Sequence, residues 1–436
     1  MAGTKYETKP LDSWLKAKEL RLDHYKELAT AREDGKLLVT GSANTFMSLL
    51  AGFGDFVFLS GEPYGASVSY DPNFAEECGE ATEARGFARD LCSYMRNYWG
   101  SMYLDRFYFG GSFPKPDFCY TRHICDSHAK WFQVVSEHYD VPIFAIDMPP
   151  YSYGEDADRM RLEVDYVVAQ AQESIENVER HTGRKFDDAK FMAALENEFR
   201  TTALWGEIAL LNEAIPAPLD LKSMFSLYVL PFFIKHEKRS VEYFTMLRDE
   251  VKDRIANQIA AVGNERCRLM HDSQPPWFFL RIFRYLEERG VVCVGSHYSL
   301  GLTGTYVEGP DGRMFPKKVP QDEGIVYRNR EEALRAMVLW YLDWPMEGCF
   351  IPHVKNYQIV DLARFWHCDG VLLHLNRGCE GTACGQLENR LALVNAGIPT
   401  MAYEGNMADE REFDEAQVLD RVDAFLESLG VSKRGD

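Results

Sequence analysis

The sequence lacks the long apolar segments that place a protein in a membrane. No stretch approaches the roughly 20 consecutive apolar residues that a membrane helix requires. The N-terminus also lacks an apolar signal segment, and it soon becomes a charged amphipathic helix over residues 11–34. We therefore predict a cytoplasmic protein with no membrane association.

Positive charge is also scarce. Lys and Arg number 48 against 67 Asp and Glu, so the formal net charge is −19 at pH 7. A general nucleic-acid binder needs a basic surface to neutralise phosphates, and this charge balance argues against that class of function. An anionic ligand such as coenzyme A would still need a local basic pocket.

Two kinds of short motif are absent. The ten cysteines include no CxxC pair and no CxxCxxC run, so neither a zinc ribbon nor a ferredoxin domain is supported. The segment Gly301-Leu302-Thr303-Gly304 is not followed by the Gly-Lys-Ser/Thr of a phosphate-binding loop, so any ATP would be bound elsewhere. Ten cysteines in a cytosolic chain are seldom a disulfide framework, which makes some of them candidate metal ligands.

What is present is an alternation of strand and helix patterns in a chain of 436 residues, long enough for two or three domains. We expect the first strand at 55–60, followed by a turn at 61–63. Further predicted elements of this first block are a helix at 82–98, a strand at 117–121, a helix at 127–139 with a Ser cap, and a strand at 141–146.

A helical segment follows, and then the alternation returns. Predicted elements of the second block are strands at 267–271, 291–295, 370–375 and 399–403, with helices at 276–288, 331–343, 354–367, 385–396 and 413–429. The pattern predicts an α/β fold of two parallel-sheet domains that face a cleft, where ligands bind at the C-terminal ends of strands. The expected boundaries are a helical lead-in 1–35, a first α/β domain 36–154, a helical connector 155–260 and a second α/β domain 261–436.

Three cysteines lie where such folds bind ligands. Cys125 follows the strand at 117–121 and precedes a helix start, where helix N–H groups stabilise a thiolate. Cys379 has the equivalent place in the second block. We expect Cys92 to be near the end of the helix at 82–98, which can bring it beside Cys125. A buried cysteine is more often a small hydrophobe than a ligand; to that packing role we assign Cys78, Cys119, Cys267, Cys293, Cys349 and Cys368.

Histidines near strand ends could transfer protons, although a lone histidine there is more often structural. The candidates are His123, His297 and His374. The sequence alone does not distinguish which of these histidines would transfer a proton.

The C-terminal segment DGVLLHLNRGCEGTACGQLENRLALVNAGIPTMAYEG and the helix after it resemble the 2-hydroxyacyl-CoA dehydratase and benzoyl-CoA reductase family. LCSYMRNYWG is similar to the family's first cysteine site, and HICDSHAKWFQVV to its second. The matched elements of the C-terminal segment are Cys379, Gly397, Ile398, Pro399, Glu404, Gln417, Arg421, Phe425 and Glu427. The resemblance is greatest to the larger cluster-carrying subunit of ATP-dependent benzoyl-CoA reductase.

The resemblance implies two flavodoxin-like domains and a [4Fe–4S] cluster held by Cys92, Cys125 and Cys379. It also implies an oxidoreductase subunit that is active only in a complex, where single electrons reduce an aromatic acyl-CoA to a cyclic diene. The implied partners are a homologous smaller subunit, ATPase subunits that use the ATP, and ferredoxin as electron donor. Two alternatives are a subunit of a 2-hydroxyacyl-CoA dehydratase, which expels a hydroxyl group by radical chemistry, and a noncatalytic electron relay.

Overall fold

The fold was analysed in a computed structural model, which describes residues 5–149, 156–343, 350–379 and 381–431. The first α/β block comprises α1 (Trp14–Thr30), β1 (Leu37–Gly41), α2 (Met47–Ala51), β2 (Phe56–Ser60), α3 (Gly61–Val68), α4 (Pro72–Glu83), α5 (Ser93–Tyr103), β3 (Phe118–His123), α6 (Asp126–Tyr139) and β4 (Ile143–Asp147). The helical segment comprises α7 (Ala157–Thr182), α8 (Asp188–Leu210), α9 (Leu221–Leu227), α10 (Pro231–Ile234) and α11 (Lys238–Ala256).

The second α/β block comprises β5 (Cys267–Asp272), α12 (Arg281–Glu287), β6 (Val291–Gly295), α13 (His297–Gly301), β7 (Tyr306–Glu308), β8 (Met314–Pro316), α14 (Arg330–Leu342), α15 (Pro352–Phe365), β9 (Gly370–Asn376), α16 (Gln386–Asn395), β10 (Thr400–Gly405) and α17 (Glu415–Ser428). Short 3-10 turns lie at Leu211–Glu213, Trp277–Phe279, Pro320–Glu323 and Glu410–Glu412.

Each block forms one parallel four-stranded sheet, and the two sheets have the same topology. The first has the order β2-β1-β3-β4 and the second the order β10-β9-β5-β6. The strands are numbered here by their order along the chain within each block. The first sheet then reads 2-1-3-4, which is the flavodoxin-like order, and the second reads 4-3-1-2, which is the same order read from the opposite edge. The predicted fold class, two flavodoxin-like parallel-sheet domains with helical additions, is confirmed. The domain boundaries stay a prediction.

The strands form because apolar, β-branched and aromatic side chains follow one another without alternation. In β1 and β9, for example, the sequences LLVTG and GVLLHLN are buried at nearly every position. A strand buried on both faces needs helices on both sides of its sheet, as in other parallel α/β folds. At the switch point of such a sheet, the connections that follow two neighbouring strands go to opposite faces of the sheet. A crevice therefore forms at the C-terminal ends of those two strands. In this chain the switch points lie between β1 and β3 and between β5 and β9.

Several predicted boundaries were wrong. Strand β1 precedes the strand predicted to be first, and residues 61–63 begin helix α3 instead of forming a turn. The single helix predicted at 82–98 is two helices, α4 and α5, because the chain turns at Gly86, whose φ of 85° ends the helical path. Helix α6 begins after Cys125, so its N-cap is this cysteine and not a serine. The helix predicted at 276–288 is a 3-10 turn followed by the shorter α12.

A helix that crosses a bilayer must be about 20 residues long and largely apolar, which is a requirement that the described helices do not meet. None of them has both the length and the apolar character to cross a bilayer.

Candidate functional site

One cavity lies at the C-terminal ends of strands from both sheets. Its lining includes Asn44 after β1, Cys125 after β3, Gln274 after β5 and Cys379 after β9, so both switch points open into it. Its volume is about 110 Å³, against the roughly 10–15 Å³ that a single water needs. The cavity therefore has room for a ligand.

All three cysteines predicted as ligands line this cavity: Cys92, Cys125 and Cys379. The structure thus brings together residues that are far apart in the chain. Their role as ligands stays a prediction. Of the cysteines assigned to packing, Cys78, Cys119, Cys267 and Cys293 are buried and Cys368 is partly buried. Cys349 lies outside the described residues.

Cys92 is the N-cap of α5 and therefore lies at the start of a helix, not near the end of one as predicted. The backbone N–H groups of Tyr94 and Met95, in the first turn of α5, act to lower the pKa of its thiol. Burial raises the pKa of the Cys92 thiol, and the neighbouring Cys379 and Cys125 raise it further, while the two N–H groups act in the opposite direction. Cys92 therefore favours the neutral thiol, and a bound cation would favour its thiolate.

Cys125 is the N-cap of α6, in an extended backbone conformation. It is partly buried. Two of the three cysteines thus lie at helix N-termini, where the helix dipole and unpaired N–H groups stabilise negative charge.

Cys379 is positioned by two glycines. At Gly378, where φ is 73°, an added Cβ would lie 2.8 Å from the carbonyl oxygen of Asp90. At Gly381 an added Cβ would lie 2.6 Å from the ring of Phe350 and 3.7 Å from the Cβ of Cys125. The loop after β9 therefore approaches the segment before Cys92 on one side and Cys125 on the other, and the absence of side chains at these two positions permits the approach.

A buried ion pair anchors the same loop. Lys355 Nζ lies 3.0 Å from Asp272 Oδ2 and donates to the carbonyl oxygen of Thr382 at 2.5 Å. Gln386 Nε2 donates to Asp272 Oδ2 at 2.8 Å. Burial acts to raise the pKa of Asp272, but Lys355 and His297 outweigh it and the pKa lies below its ordinary value. The ion pair thus ties β5 to the segment that follows Cys379.

The cysteines fit an iron–sulfur cluster better than a single metal ion. Within the described ranges, no group of three or more His, Cys, Asp or Glu side chains could hold one ion. A cluster has a different requirement, since each thiolate binds a separate iron and the sulfurs lie farther apart. Three soft thiol donors converging on one buried cavity are the donor set that iron–sulfur clusters use.

A carboxylate and a histidine that the sequence analysis did not single out face the cysteines in the cavity. Glu62, in the first turn of α3, pairs with His128 of α6 at 2.6 Å between Oε1 and Nε2, and Glu62 Oε2 accepts from the Ala43 N–H at 2.8 Å. Burial acts to lower the pKa of His128, but Cys125 and Glu62 outweigh it and raise the pKa well above its ordinary value. The pair can hold a proton beside the cysteines.

The three histidines considered from the sequence do not line this cavity. His123 pairs with Asp147 at 3.0 Å, His297 with Gln358 at 2.8 Å, and His374 with the Gln274 carbonyl oxygen at 2.6 Å.

Aromatic side chains form a large part of the remaining cavity wall. Trp277 lies parallel to Tyr228, with an interplanar angle of 5°, and meets Phe225 edge-on at 5.6 Å between centroids. The polar groups are paired with one another, because Trp277 Nε1 donates to the Tyr94 hydroxyl and the Tyr228 hydroxyl to that of Tyr298. Further aromatic lining comes from Trp131, Phe232, Phe233 and Phe350. Such a wall suits a planar or bulky apolar group.

The chain is similar to known proteins over most of its length. A family model described as "2-hydroxyglutaryl-CoA dehydratase, D-component" matches residues 67–429. The chain is 26% identical to the (R)-2-hydroxyisocaproyl-CoA dehydratase alpha subunit of Clostridioides difficile, over 95% of this chain and 96% of that protein. It is 25% identical to the (R)-phenyllactyl-CoA dehydratase alpha subunit of Clostridium sporogenes, over 86% and 85% respectively. It is 24% identical to one of the benzoyl-CoA reductase subunits of Thauera aromatica, over 97% and 96%.

Proposed function

The chain belongs to the family of the 2-hydroxyglutaryl-CoA dehydratase D-component, and we propose that it is the iron–sulfur subunit of an ATP-dependent reductase acting on an aromatic acyl-CoA of the benzoyl-CoA type. The observation that carries this proposal is the convergence of Cys92, Cys125 and Cys379 on one cavity with an aromatic wall. Its relatives are named as subunits of acyl-CoA dehydratases and of a benzoyl-CoA reductase.

In this proposal Cys92, Cys125 and Cys379 hold a [4Fe–4S] cluster. When bound, such a cluster provides single electrons at low potential and leaves one iron without a thiolate ligand. The helix N-termini at Cys92 and Cys125 stabilise the thiolates. Burial keeps water away from them and strengthens each electrostatic interaction in the site.

The substrate would bind with its acyl group against the aromatic wall. The rings of Phe225, Tyr228 and Trp277 offer apolar faces, because the Tyr228 and Trp277 polar groups are already hydrogen-bonded. Glu62 and His128 then form the ionisable end of the cavity, where the proton shared between Oε1 and Nε2 can be delivered to reduced substrate.

Other subunits complete the enzyme in this proposal. They are a homologous smaller subunit, ATPase subunits that use the ATP, and a ferredoxin-type electron donor. The isolated chain is then expected to show neither ATP hydrolysis nor substrate reduction.

A second candidate function is the dehydration of a 2-hydroxyacyl-CoA. The names of the relatives support it, since two of those described above are dehydratase alpha subunits. Glu62 and His128 suit that reaction as well, because removal of a hydroxyl group also requires proton transfer.

The test is anaerobic purification of the chain with its partner subunits, followed by metal analysis and assay. We expect the anaerobically purified chain to be brown and to carry about four iron and about four acid-labile sulfide per chain. ATP-dependent turnover of benzoyl-CoA in a stable complex supports the reductase, whereas turnover of (R)-2-hydroxyisocaproyl-CoA alone supports the dehydratase. Zinc without sulfide would overturn both proposals.

A second prediction concerns Arg21 of α1, which is the one Lys or Arg side chain in the described lining of the cavity. Arg21 has no ion-pair partner among the residues that the structure describes. Coenzyme A carries phosphates that a free guanidinium binds well. We expect Arg21→Gln to raise the KM for benzoyl-CoA by about tenfold with little change in kcat, as for loss of a hydrogen bond to a charged group.

The control for Arg21 is Lys18→Gln, which removes the same charge from an exposed site one turn away on α1. S-benzoyl-pantetheine, which lacks the nucleotide phosphates, should show no difference between the variants. An equal KM for benzoyl-CoA in both variants would contradict the phosphate role of Arg21 and leave the cluster proposal unaffected.

A further inference from the structure

The side chain of Gln274 contacts the sulfur of Cys379. Its Nε2 donates to Sγ at 3.2 Å, and Gln274 is only 5% exposed. Gln274 follows β5 and Cys379 follows β9, so the contact joins the two strands at the switch point of the second sheet.

Neighbouring hydrogen bonds fix which end of the amide faces the sulfur. The Ser273 hydroxyl donates to Gln274 Oε1 at 2.8 Å, and Asn376 Nδ2 donates to the same oxygen at 3.1 Å. Since two donors occupy the oxygen, the NH₂ group is the end left for Cys379.

The backbone at Ser273 and Gln274 supports the same orientation of the Gln274 side chain. Ser273 has a φ of 68°, in the left-handed region that non-glycine residues seldom adopt. The Gln274 carbonyl oxygen accepts from His374 Nδ1 at 2.6 Å. An unfavourable conformation of this kind persists only when its surroundings enforce it, and it is found most often at functional sites.

Cys379 differs in this respect from Cys92. The groups that favour negative charge on Cys92 are backbone N–H groups of α5, which are not removed by changing a side chain. The amide donor to Cys379 belongs to a side chain. Hydrogen bonds to the sulfurs of a cluster stabilise its reduced, more negative state, and this raises its reduction potential.

We infer that Gln274 is a positioning residue. The hydrogen bond from its side-chain amide to Cys379 sets the reduction potential of the cluster. The inference rests on the proposed cluster. It assigns Gln274 no contact with the substrate.

The test is Gln274→Met in the purified complex, which keeps the volume of the side chain and removes the donor. At a fixed potential we expect the ratio of reduced to oxidised cluster to be about tenfold lower than in the wild type, in line with the loss of one hydrogen bond to a charged group. For one electron this corresponds to a midpoint lower by about 59 mV. The matched control is Gln358→Met, because Gln358 pairs with His297 and lies outside the cavity; its midpoint should equal that of the wild type.

A second measurement uses the wild type, in case Gln274→Met assembles no cluster. Selective ¹⁵N labelling of glutamine side chains should give a nitrogen coupling to the reduced cluster in pulsed EPR. An unchanged midpoint in Gln274→Met with full iron content, or no such coupling in the wild type, would overturn the inference. Iron content is measured first, so that failure of the cluster proposal itself is recognised separately.

Discussion

Replacing Cys379 by serine is expected to abolish cluster assembly, or to leave a three-iron form without activity, while Cys384→Ser keeps most of its iron. Cys379 lines the cavity with Cys92 and Cys125, whereas Cys384 is exposed and outside the described lining. A serine oxygen is a harder ligand than a thiolate and a poor substitute at the iron of a cluster.

The two serine variants are matched, because each removes one thiol from the same short loop. Iron, acid-labile sulfide and the EPR spectrum are measured on anaerobically purified complexes. If Cys384→Ser lost the iron and Cys379→Ser kept it, the ligand assignment would be wrong even though the family membership would stand.

The architecture could be predicted from the sequence because parallel strands buried on both faces leave strong signals. The uninterrupted apolar runs in β2, β6 and β9 indicate such strands, and the segments between them have helical periodicity. The sequence pattern did not predict β1. Its short run follows a charged helix, and its identity as a strand depends on pairing with β2 and β3, which are distant contacts.

Helix boundaries were predicted less well, and this affected the description of the site. Residues 82–98 look like one amphipathic helix, but α4 and α5 pack so closely that a Cβ at Gly100 would lie 2.1 Å from the Cys78 carbonyl oxygen. The close approach requires two separate helices. Cys92 therefore precedes the first turn of α5, where unpaired backbone N–H groups lower the pKa of its thiol, and the end of a helix has no such groups.

The convergence of three cysteines was predictable in part, because strand ends of a parallel sheet meet at one edge. Glu62 and His128 were missed, although both gave a signal. Glu62 lies just after β2, and His128 lies within one turn of Cys125 at the start of α6. What the sequence could not provide was the direction of the two side chains, which is determined by the packing of α3 and α6.

The second large effect is expected at Glu62. Glu62→Gln should lower turnover by about 10²–10⁴-fold, the usual contribution of a positioned general acid or base. The reason is that the amide can neither accept the proton from His128 Nε2 nor return it, although it keeps the shape of the carboxylate. The pair is nearly closed to solvent, with side-chain exposures of 20% for Glu62 and 8% for His128, so water cannot readily take over.

The measurement is turnover per cluster, with iron content and substrate affinity determined on the same preparations. Glu62→Asp tests the role of the proton, because a shorter carboxylate should recover part of the activity that Glu62→Gln loses. The control is Glu76→Gln on α4, which removes a carboxylate outside the cavity.

Turnover of Glu62→Gln close to that of Glu76→Gln, at equal iron content, would show that the proton comes from another group. A loss of iron in Glu62→Gln would instead show that the pair holds Cys125 in place, because Glu62 and Cys125 both interact with His128 and together raise its pKa.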